Sequence, residues 1–434
     1  MGNVRTRAAS LVGKGVVAAT RLRGGHGSAF PGLVVERLQP RFLQDVLGSL
    51  PLGTVVVSGT NGKTTTTKMV VALLRAAGLR VFTNPSGSNF TRGVVSEAVR
   101  AMRGGRLRAD IAVVELDEAY AVHFVRQLSP NACLLLNVLR DQLDRFGEID
   151  TTAGMLRQVA AKTLGQVVLN AGDPRIAALA SAIGTNARVS WFGADSSLAS
   201  RFPTDEQLHG PAPVEPAPIE VTTREDADEV VLLALAGQHA TYRIDGHDYD
   251  VTLSLYGPHN ALNGAAALAL TRAVLGDRFD AAAQVAALGK VRAAFGRGEV
   301  WDVGSRTLRL TLVKNPSGFR LALAGSQAGT PTLIAINDEH ADGRDVSWLW
   351  DVDFAPIATS ELVRTTGVRA SDMALRLKYA GIEVDDTEAD LSRALHRFLQ
   401  DTQGQDVQVF STYTAMLKLR AQLKALASGQ GARS

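Results

Sequence analysis

The chain has 434 residues, of which 46% are hydrophobic and 21% charged, with 46 basic residues against 43 acidic ones. That length is too great for one compact core and implies two or three domains of a globular protein, while a net charge of +3 argues against nucleic-acid binding driven by bulk charge. A single cysteine, Cys133, excludes an intrachain disulfide framework and a cysteine-built zinc cage; lying in Cys133-Leu134-Leu135-Leu136, it reads as a buried strand thiol. No stretch approaches the length of a membrane span, because Lys14 and Arg21 interrupt the N-terminal candidate, so the expected location is cytoplasmic.

The first forty-odd residues are basic: Arg5, Arg7, Lys14, Arg21, Arg23, Arg37 and Arg41 face only Glu36 as an acid, while Ala8–Ala19 is apolar enough for one helix face. Two readings stand. Residues 1–45 form a helical segment packed on the next domain with a solvated basic rim, or they lie against the anionic inner face of a membrane.

The stretch Ser58–Met69, SGTNGKTTTTKM, organises the rest of the chain. Thr54–Val57 is a β-branched run suited to a buried strand, and Lys68–Gly78 reads as a helix. In a strand–turn–helix setting, Gly59 and Gly62 let the backbone turn its N–H groups toward an anion. Lys63 can reach β- and γ-phosphate oxygens, and Thr64 can offer its hydroxyl to Mg²⁺. The standard phosphate loop has a glycine where Val57 stands, so this loop is a variant.

Thr54–Val57, Val81–Thr83 and Ile111–Leu116 as strands, alternating with helices at Val70–Ala77 and Val95–Met102, imply a parallel sheet covered on both faces. Ligands of such sheets bind beyond the carboxyl ends of the strands. Glu115, Asp117 and Glu118 fall at that edge, and Glu115 is the first candidate for Mg²⁺, with Asp117 second. The next strand, Ala132–Asn137, opens a polar loop running to Gly147.

Here a resemblance becomes specific. Gly59-Thr60-Asn61-Gly62-Lys63-Thr64-Thr65 resembles the ATP loop of the Mur ligases and folylpolyglutamate synthases. Asn137–Gly147 is similar to their Asn-x-x-x-Asp-His-x-Asp-Arg signature, with Gln142 at the histidine position. Tyr256–Asn263 resembles their Gly-x-His-Asn-x-x-Asn helix start, which implies that Asn260 approaches adenine. Gly296-Arg297-Gly298-Glu299 matches their Gly-Arg-x-Glu junction, implying a γ-phosphate contact for Arg297. Lys314-Asn315-Pro316 falls at their His-Asn-Pro turn, so Asn315, with Asp338, is expected near the nucleotide.

Within that superfamily Ile336–Phe354, Arg140–Arg145 and Val313–Phe319 resemble the MurT-type subunit of lipid II isoglutaminyl synthase, and the match spans roughly residues 45–425. It implies a central ATPase domain (46–297) with a parallel-rich α/β sheet, a smaller Rossmann-like domain (298–425) and a disordered tail (426–434). The implied activity is that of an ATP-dependent carbon–nitrogen ligase. It amidates the α-carboxyl of D-glutamate in the lipid II stem peptide through an acyl phosphate, with ammonia from a separate GatD-type class I glutaminase. A stand-alone ligase joining an amino acid is the alternative.

Asp342, Asp345, Asp351 and Asp353 lie among Trp348, Trp350 and Phe354, an acidic-aromatic surface of the kind found at interfaces. The resemblance implies that one aspartate orients the histidine of the glutaminase's Cys-His pair. Asp351 is the first candidate, with Asp353 and Asp345 behind it.

Two departures from the family pattern stand out. The four-cysteine zinc ribbon of many MurT-type proteins is missing; in its place Phe202–Glu229 carries five prolines and eight acidic residues against one basic, so no zinc is expected. Where many Mur ligases carry a carbamylated lysine, the chain has Leu156 and Arg157.

Overall fold

The computed structural model describes residues 4–22, 29–84, 90–140, 149–185, 187–205, 207, 229–292 and 297–427. The chain divides into two units. The first contains nearly everything up to Val291, and the second runs from Arg292 and includes Arg140 and residues 255–257. The expected boundary at 297/298 thus lies a few residues past the observed one, and residues 1–45 do not stand apart but belong to the first unit.

The first unit opens with α1 (Val4–Leu22), α2 (Ala29–Leu38) and α3 (Phe42–Val46). One face of α1 is fixed to its neighbours. The Thr6 hydroxyl donates to Asp45 at 2.6 Å, Lys14 Nζ donates to the Met102 carbonyl at 2.8 Å, and Gly13 sits so close to Val35 and Val99 that a Cβ would meet them at 2.6 and 3.0 Å. The inner face of α1 is thus packed on the first unit.

Next come β1 (Thr54–Ser58), α4 (Lys63–Ala76), β2 (Val81–Thr83), α5 (Thr91–Ala101), β3 (Ile111–Glu115), α6 (Glu118–Gln127) and β4 (Ala132–Leu135). They are followed by α7 (Ile149–Lys162), β5 (Gln166–Asn170), α8 (Pro174–Ala177), β6 (Arg188–Ala194), β7 (Glu229–Ala236), β8 (His239–Ile244) and β9 (His247–Thr252). Two helices, α9 (Pro258–Leu275) and α10 (Ala281–Gly289), close the unit. The strands order as β2-β3-β1-β4-β5-β6-β7-β8-β9, parallel through β7 and antiparallel across β7-β8-β9. β1 is buried along its whole length because helices cover both faces, which is why its sequence is unbroken Thr-Val-Val-Val-Ser rather than alternating. Cys133 is fully buried on β4, and desolvation pushes its thiol up to about 12, as expected of a structural cysteine.

Helix α4 starts at Lys63, five residues before the sequence expectation, and α5 starts at Thr91 rather than Val95. Four consecutive threonines are weak helix formers, but Thr64–Thr67 are buried, so tertiary packing overrides propensity. Val230–Leu235 lies within β7, which pairs antiparallel with β8. The acidic, Pro-rich insertion lies largely outside the described residues.

The second unit contains β10 (Arg297–Val303), β11 (Arg306–Leu312), α11 (Pro316–Leu323), β12 (Thr332–Ala335), β13 (Val363–Thr366), α12 (Ala370–Tyr379), β14 (Asp386–Glu388), α13 (Leu391–Asp401), β15 (Val407–Ser411) and α14 (Tyr413–Ala427). Its strands order as β10-β11-β15-β12-β13-β14, parallel from β11 onward. Helices flank this sheet on both sides. One core gathers Phe319, Trp348, Phe354 and Phe410, and the other Phe398, Met416 and Leu419. This is the expected Rossmann-like arrangement.

Candidate functional site

The turn between β1 and α4 is shaped by its glycines. Gly59 has φ +135° and Gly62, the residue before α4, has φ +86°, in the region that favours glycine. A Cβ on Gly59 would come within 3.0 Å of the Asn137 backbone nitrogen, and one on Gly62 within 2.6 Å of Asn263 Oδ1. Both glycines are required by space as well as by conformation.

Asn137, two residues past the end of β4, holds this turn. Its side chain accepts from the Asn61 N–H at 2.8 Å and donates to the Asn61 carbonyl at 3.1 Å, while its carbonyl accepts from the Thr60 N–H at 3.0 Å. The Thr60 hydroxyl also accepts from the Leu139 N–H at 3.1 Å. The next residue, Val138, donates its N–H to Asp173 at 2.7 Å, and Asn170 donates to the Leu136 carbonyl at 2.8 Å. Burial pushes the Asp173 carboxyl upward although it accepts the N–H groups of Val138, Arg175 and Ile176.

Lys63 is 5% exposed. Its Nζ donates to the carbonyls of Gly59 at 2.5 Å and Thr60 at 3.3 Å, and pairs with Asp117 at 3.1 Å and Glu118 at 3.5 Å. Beside it the Thr64 hydroxyl donates to Glu115 Oε1 at 2.6 Å. Asn84, at the carboxyl end of β2, brackets Glu115 by accepting its N–H and donating to its carbonyl, both at 2.9 Å. Lys63, Thr64, Glu115, Asp117 and Glu118 therefore form one cluster at the carboxyl edge of the sheet. Asp117 and Glu118 are both engaged by Lys63, while Glu115 and the Thr64 hydroxyl put hard oxygens at this edge.

Helix α9 packs against α4, and Asn260 and Asn263 on its first turns are both buried. Thr65 is likewise buried in the first turn of α4. The sequence singled out Gly59 through Thr65, Glu115 and Asn260; it gave no separate weight to Asn137, Asn263 or Asn84. The Asn-x-x-Asn spacing after Gly257 was the available signal for Asn263, and the strand-end position for Asn137.

The other expected residues lie in the second unit. Asn315 is fully buried and caps α11 by accepting the Gly318 N–H at 2.7 Å. Asp338 pairs with Arg369 at 2.8 Å, which raises the guanidinium pKa through that hydrogen bond. Arg297 opens β10 opposite Thr311. Asp342 accepts from the backbone and hydroxyl of Thr414 at 2.7 and 2.5 Å, fixing the start of α14. Leu156 is in the core and Arg157 is exposed on α7. Much of the Asn137–Gly147 signature, Gln142 included, lies outside the described residues.

The tryptophans of the acidic-aromatic stretch separate. Trp348 is in the core against Phe319, whereas Trp350 is 51% exposed and meets Tyr379 edge-on at 5.3 Å. Arg376 lies over Trp350 and donates to the carbonyls of Leu349 and Val352 at 3.1 and 2.6 Å. Of the candidate aspartates, Asp345 accepts the Ser347 N–H at 2.8 Å and Asp353 the Ala355 N–H at 3.0 Å. The carboxylate of Asp351 is partly exposed beside Trp350 and has no hydrogen-bond or ion-pair partner among the described residues.

These features define the class of protein: a Mur-ligase-type α/β chain, with a phosphate-loop unit followed by a Rossmann-like unit. Residues 57–271 match the Mur ligase middle domain, and residues 312–416 match the MurT ligase C-terminal family. Among solved structures, MurF from Acinetobacter baumannii superposes with a TM-score of 0.66 at 16% identity, covering 92% of this chain and 80% of that one. Mycobacterium tuberculosis folylpolyglutamate synthase, complexed with ADP and AMPPCP, gives 0.60 at 18% identity, covering 90% and 94%. The subunit MurT of lipid II isoglutaminyl synthase (glutamine-hydrolyzing) from Streptococcus pneumoniae is 30% identical over 92% of each chain. Its counterpart from Staphylococcus aureus strain COL is 26% identical over 93% of this chain and 94% of that one. The chain belongs to the MurT family.

Proposed function

We propose that the chain is the synthetase subunit of a glutamine-hydrolysing lipid II isoglutaminyl synthase, an ATP-dependent carbon–nitrogen ligase of peptidoglycan synthesis. The observation that carries this is the similarity to lipid II isoglutaminyl synthase subunits along almost the whole length of both chains, joined to an intact phosphate loop. The reaction amidates the α-carboxyl of D-glutamate in the lipid II stem peptide. A carboxylate is a poor electrophile, so its oxygen first takes the γ-phosphoryl of ATP and ADP leaves. Ammonia then attacks the acyl carbon, and phosphate departs with the carboxyl oxygen, giving D-isoglutamine.

Gly59, Gly62 and the N–H groups at the start of α4 fit a polyphosphate, because the two positive-φ glycines turn the backbone tightly into the N-terminus of α4, where the crowding by Asn137 and Asn263 leaves no room for a Cβ. Lys63 holds the β- and γ-phosphate charge, and Thr60, Asn61 and Thr65 complete the loop. The hard-oxygen pair Thr64–Glu115 fits Mg²⁺, with Asp117 adjacent. When bound, Mg²⁺ neutralises phosphate charge and orients the transferred group. The family resemblance assigns Asn260 to the adenine, and assigns roles toward the nucleotide to Arg297, Asn315 and Asp338 as well. ATP binds here as a co-substrate.

The nitrogen comes from a GatD-type class I glutaminase forming a heterodimer with this chain. The free carboxylate of Asp351, beside the half-exposed Trp350, supports the second unit as the contact, with Asp351 ahead of Asp353 and Asp345 in orienting the partner's histidine. Among the described residues no helix is long and apolar enough to cross a membrane. The test is to incubate the chain with ATP, Mg²⁺, ammonium and lipid II. Production of amidated lipid II with one ADP per amide supports the reading; ATP turnover indifferent to lipid II contradicts it.

A further inference from the structure

The face of α1 turned away from the first unit is not explained by catalysis. Its inner face, Thr6, Ala9, Ser10, Gly13 and Val17, is buried at helical spacing. On the other side Ala8, Leu11, Val12, Gly15 and Ala18 are exposed, with Leu11 at 70% and Val12 at 47% of full accessibility. A solvated outer face would carry charged or amide side chains at these positions, and this one has neither.

The surroundings are strongly biased in charge. The described side chains of α1 to α3, together with residues 91–108, include Arg5, Arg7, Lys14, Arg37, Arg41 and five more arginines, but only Glu36, Asp45 and Glu97 as acids. Each acid is engaged: Glu36 with Arg92, Glu97 with Arg100, and Asp45 with Thr6 and Gln39. Ten basic against three acidic residues give +7 here, whereas the whole chain is only +3, so the rest of the molecule is acidic on balance. The Arg7 side chain reaches the turn at Gly105, next to Arg103 and Arg106, which sets the arginines at the N-terminal end of the apolar strip.

We propose that this outer face of α1, with its arginine rim, docks on the surface of an anionic lipid bilayer. A convex strip of small and aliphatic residues suits shallow insertion, and the arginines supply the second signal that a weak apolar anchor needs. Charge complementarity selects acidic headgroups over a neutral surface. Phe30 and Leu38 on α2, which packs against α1, are also 56% and 54% exposed. The inference deepens the proposed function, whose substrate is lipid-linked, but it rests on exposure and charge alone.

The test is co-sedimentation of the full chain with vesicles of phosphatidylcholine alone or mixed with phosphatidylglycerol. The expected result is binding to the mixed vesicles about tenfold or more above the neutral ones, weakened by salt. Leu11→Glu with Val12→Glu, and separately Arg5→Glu with Arg7→Glu, abolish it, while Leu164→Glu, at an exposed leucine on a different element, leaves it unchanged. Should the Leu11/Val12 pair fail to fold, judged by ADP binding and melting, Leu11→Ser carries the comparison. Equal sedimentation of all variants, or no preference for anionic vesicles at low salt, overturns the proposal. So does loss of glutaminase co-purification by the α1 variants without any lipid binding by the parent, which would make the face a protein interface. Because vesicle binding needs no turnover, its failure leaves ligase activity intact, and failure of the ligase assay leaves vesicle binding intact.

Discussion

Lys63 Nζ lies 3.1 Å from Asp117 Oδ1, so the lysine of the phosphate loop is held by a carboxylate of the same site. Glu118 and the carbonyls of Gly59 and Thr60 also hold it. An arriving phosphate competes with Asp117 for this ammonium. Replacing Asp117→Asn removes a competitor of roughly 1 kcal/mol, allowing for the partial exposure of Asp117. Calorimetry on the variant is expected to show ADP binding about fivefold tighter and adenosine binding unchanged; weaker ADP binding would instead mark Asp117 as a necessary ligand.

Asn137 determines the shape of the turn from outside it. Asn137→Ala removes both side-chain bonds to Asn61 and costs about 1–2 kcal/mol of stability. The apparent KM for ATP is expected to rise about tenfold, with a smaller effect on the lipid substrate. Equal effects on both substrates would mean that Asn137 serves general stability alone.

At Gly62, alanine meets two obstacles, φ +86° and Asn263 Oδ1 at 2.6 Å. Gly62→Ala is expected to lose nucleotide binding and to lower stability by about 1–3 kcal/mol. Gly78→Ala, at φ +84° but in open space, is the control: it carries the backbone strain without the clash and leaves nucleotide binding intact.

The pair Arg80–Asp110 gives a pH signature. The Arg80 side-chain hydrogen bond, followed by its backbone bond, lowers the Asp110 carboxyl to about 2. A depressed acid stabilises the fold above its unfolded pKa of about 3.9, and that contribution is lost as pH falls from about 4 to about 2. Comparing melting temperatures across that window, Asp110→Asn should show a shallower acid decline than the parent. Parallel curves would remove the pair from the acid response.

On the proposed role of Asp351, Asp351→Asn is expected to separate the two half-reactions. In the assembled complex, glutamine-driven amidation should fall strongly while ammonium-driven amidation persists. Full glutamine hydrolysis would pass the role to Asp353 or Asp345.

The phosphate loop was legible because polyphosphate binding demands one local order of strand, glycine turn and helix, all within Thr54–Ala76. The start of α4 was not, since Thr64–Thr67 carry strand-like propensity and only burial makes them helical. Asn137 and Asn263 touch the loop through pairings of residues about 76 and 200 positions apart in sequence, which no local pattern encodes. In the second unit, Asn315-Pro316 spells out a helix cap, and the cap is present. The division between buried Trp348 and exposed Trp350 depends on a single turn of 3₁₀ helix over Ser347–Asp351. The alternation of strands and helices pointed to both sheets, but not to the order in which their strands pair.

The most direct measurement is ammonium-driven amidation of lipid II by a Lys63→Ala chain that still folds. Removing the buried ammonium takes away the charge that stabilises phosphoryl transfer, and the expected result is a fall of about a thousandfold or more, with ATP turnover lost in parallel. Undiminished amidation would contradict the assignment of Lys63 and of the loop it anchors.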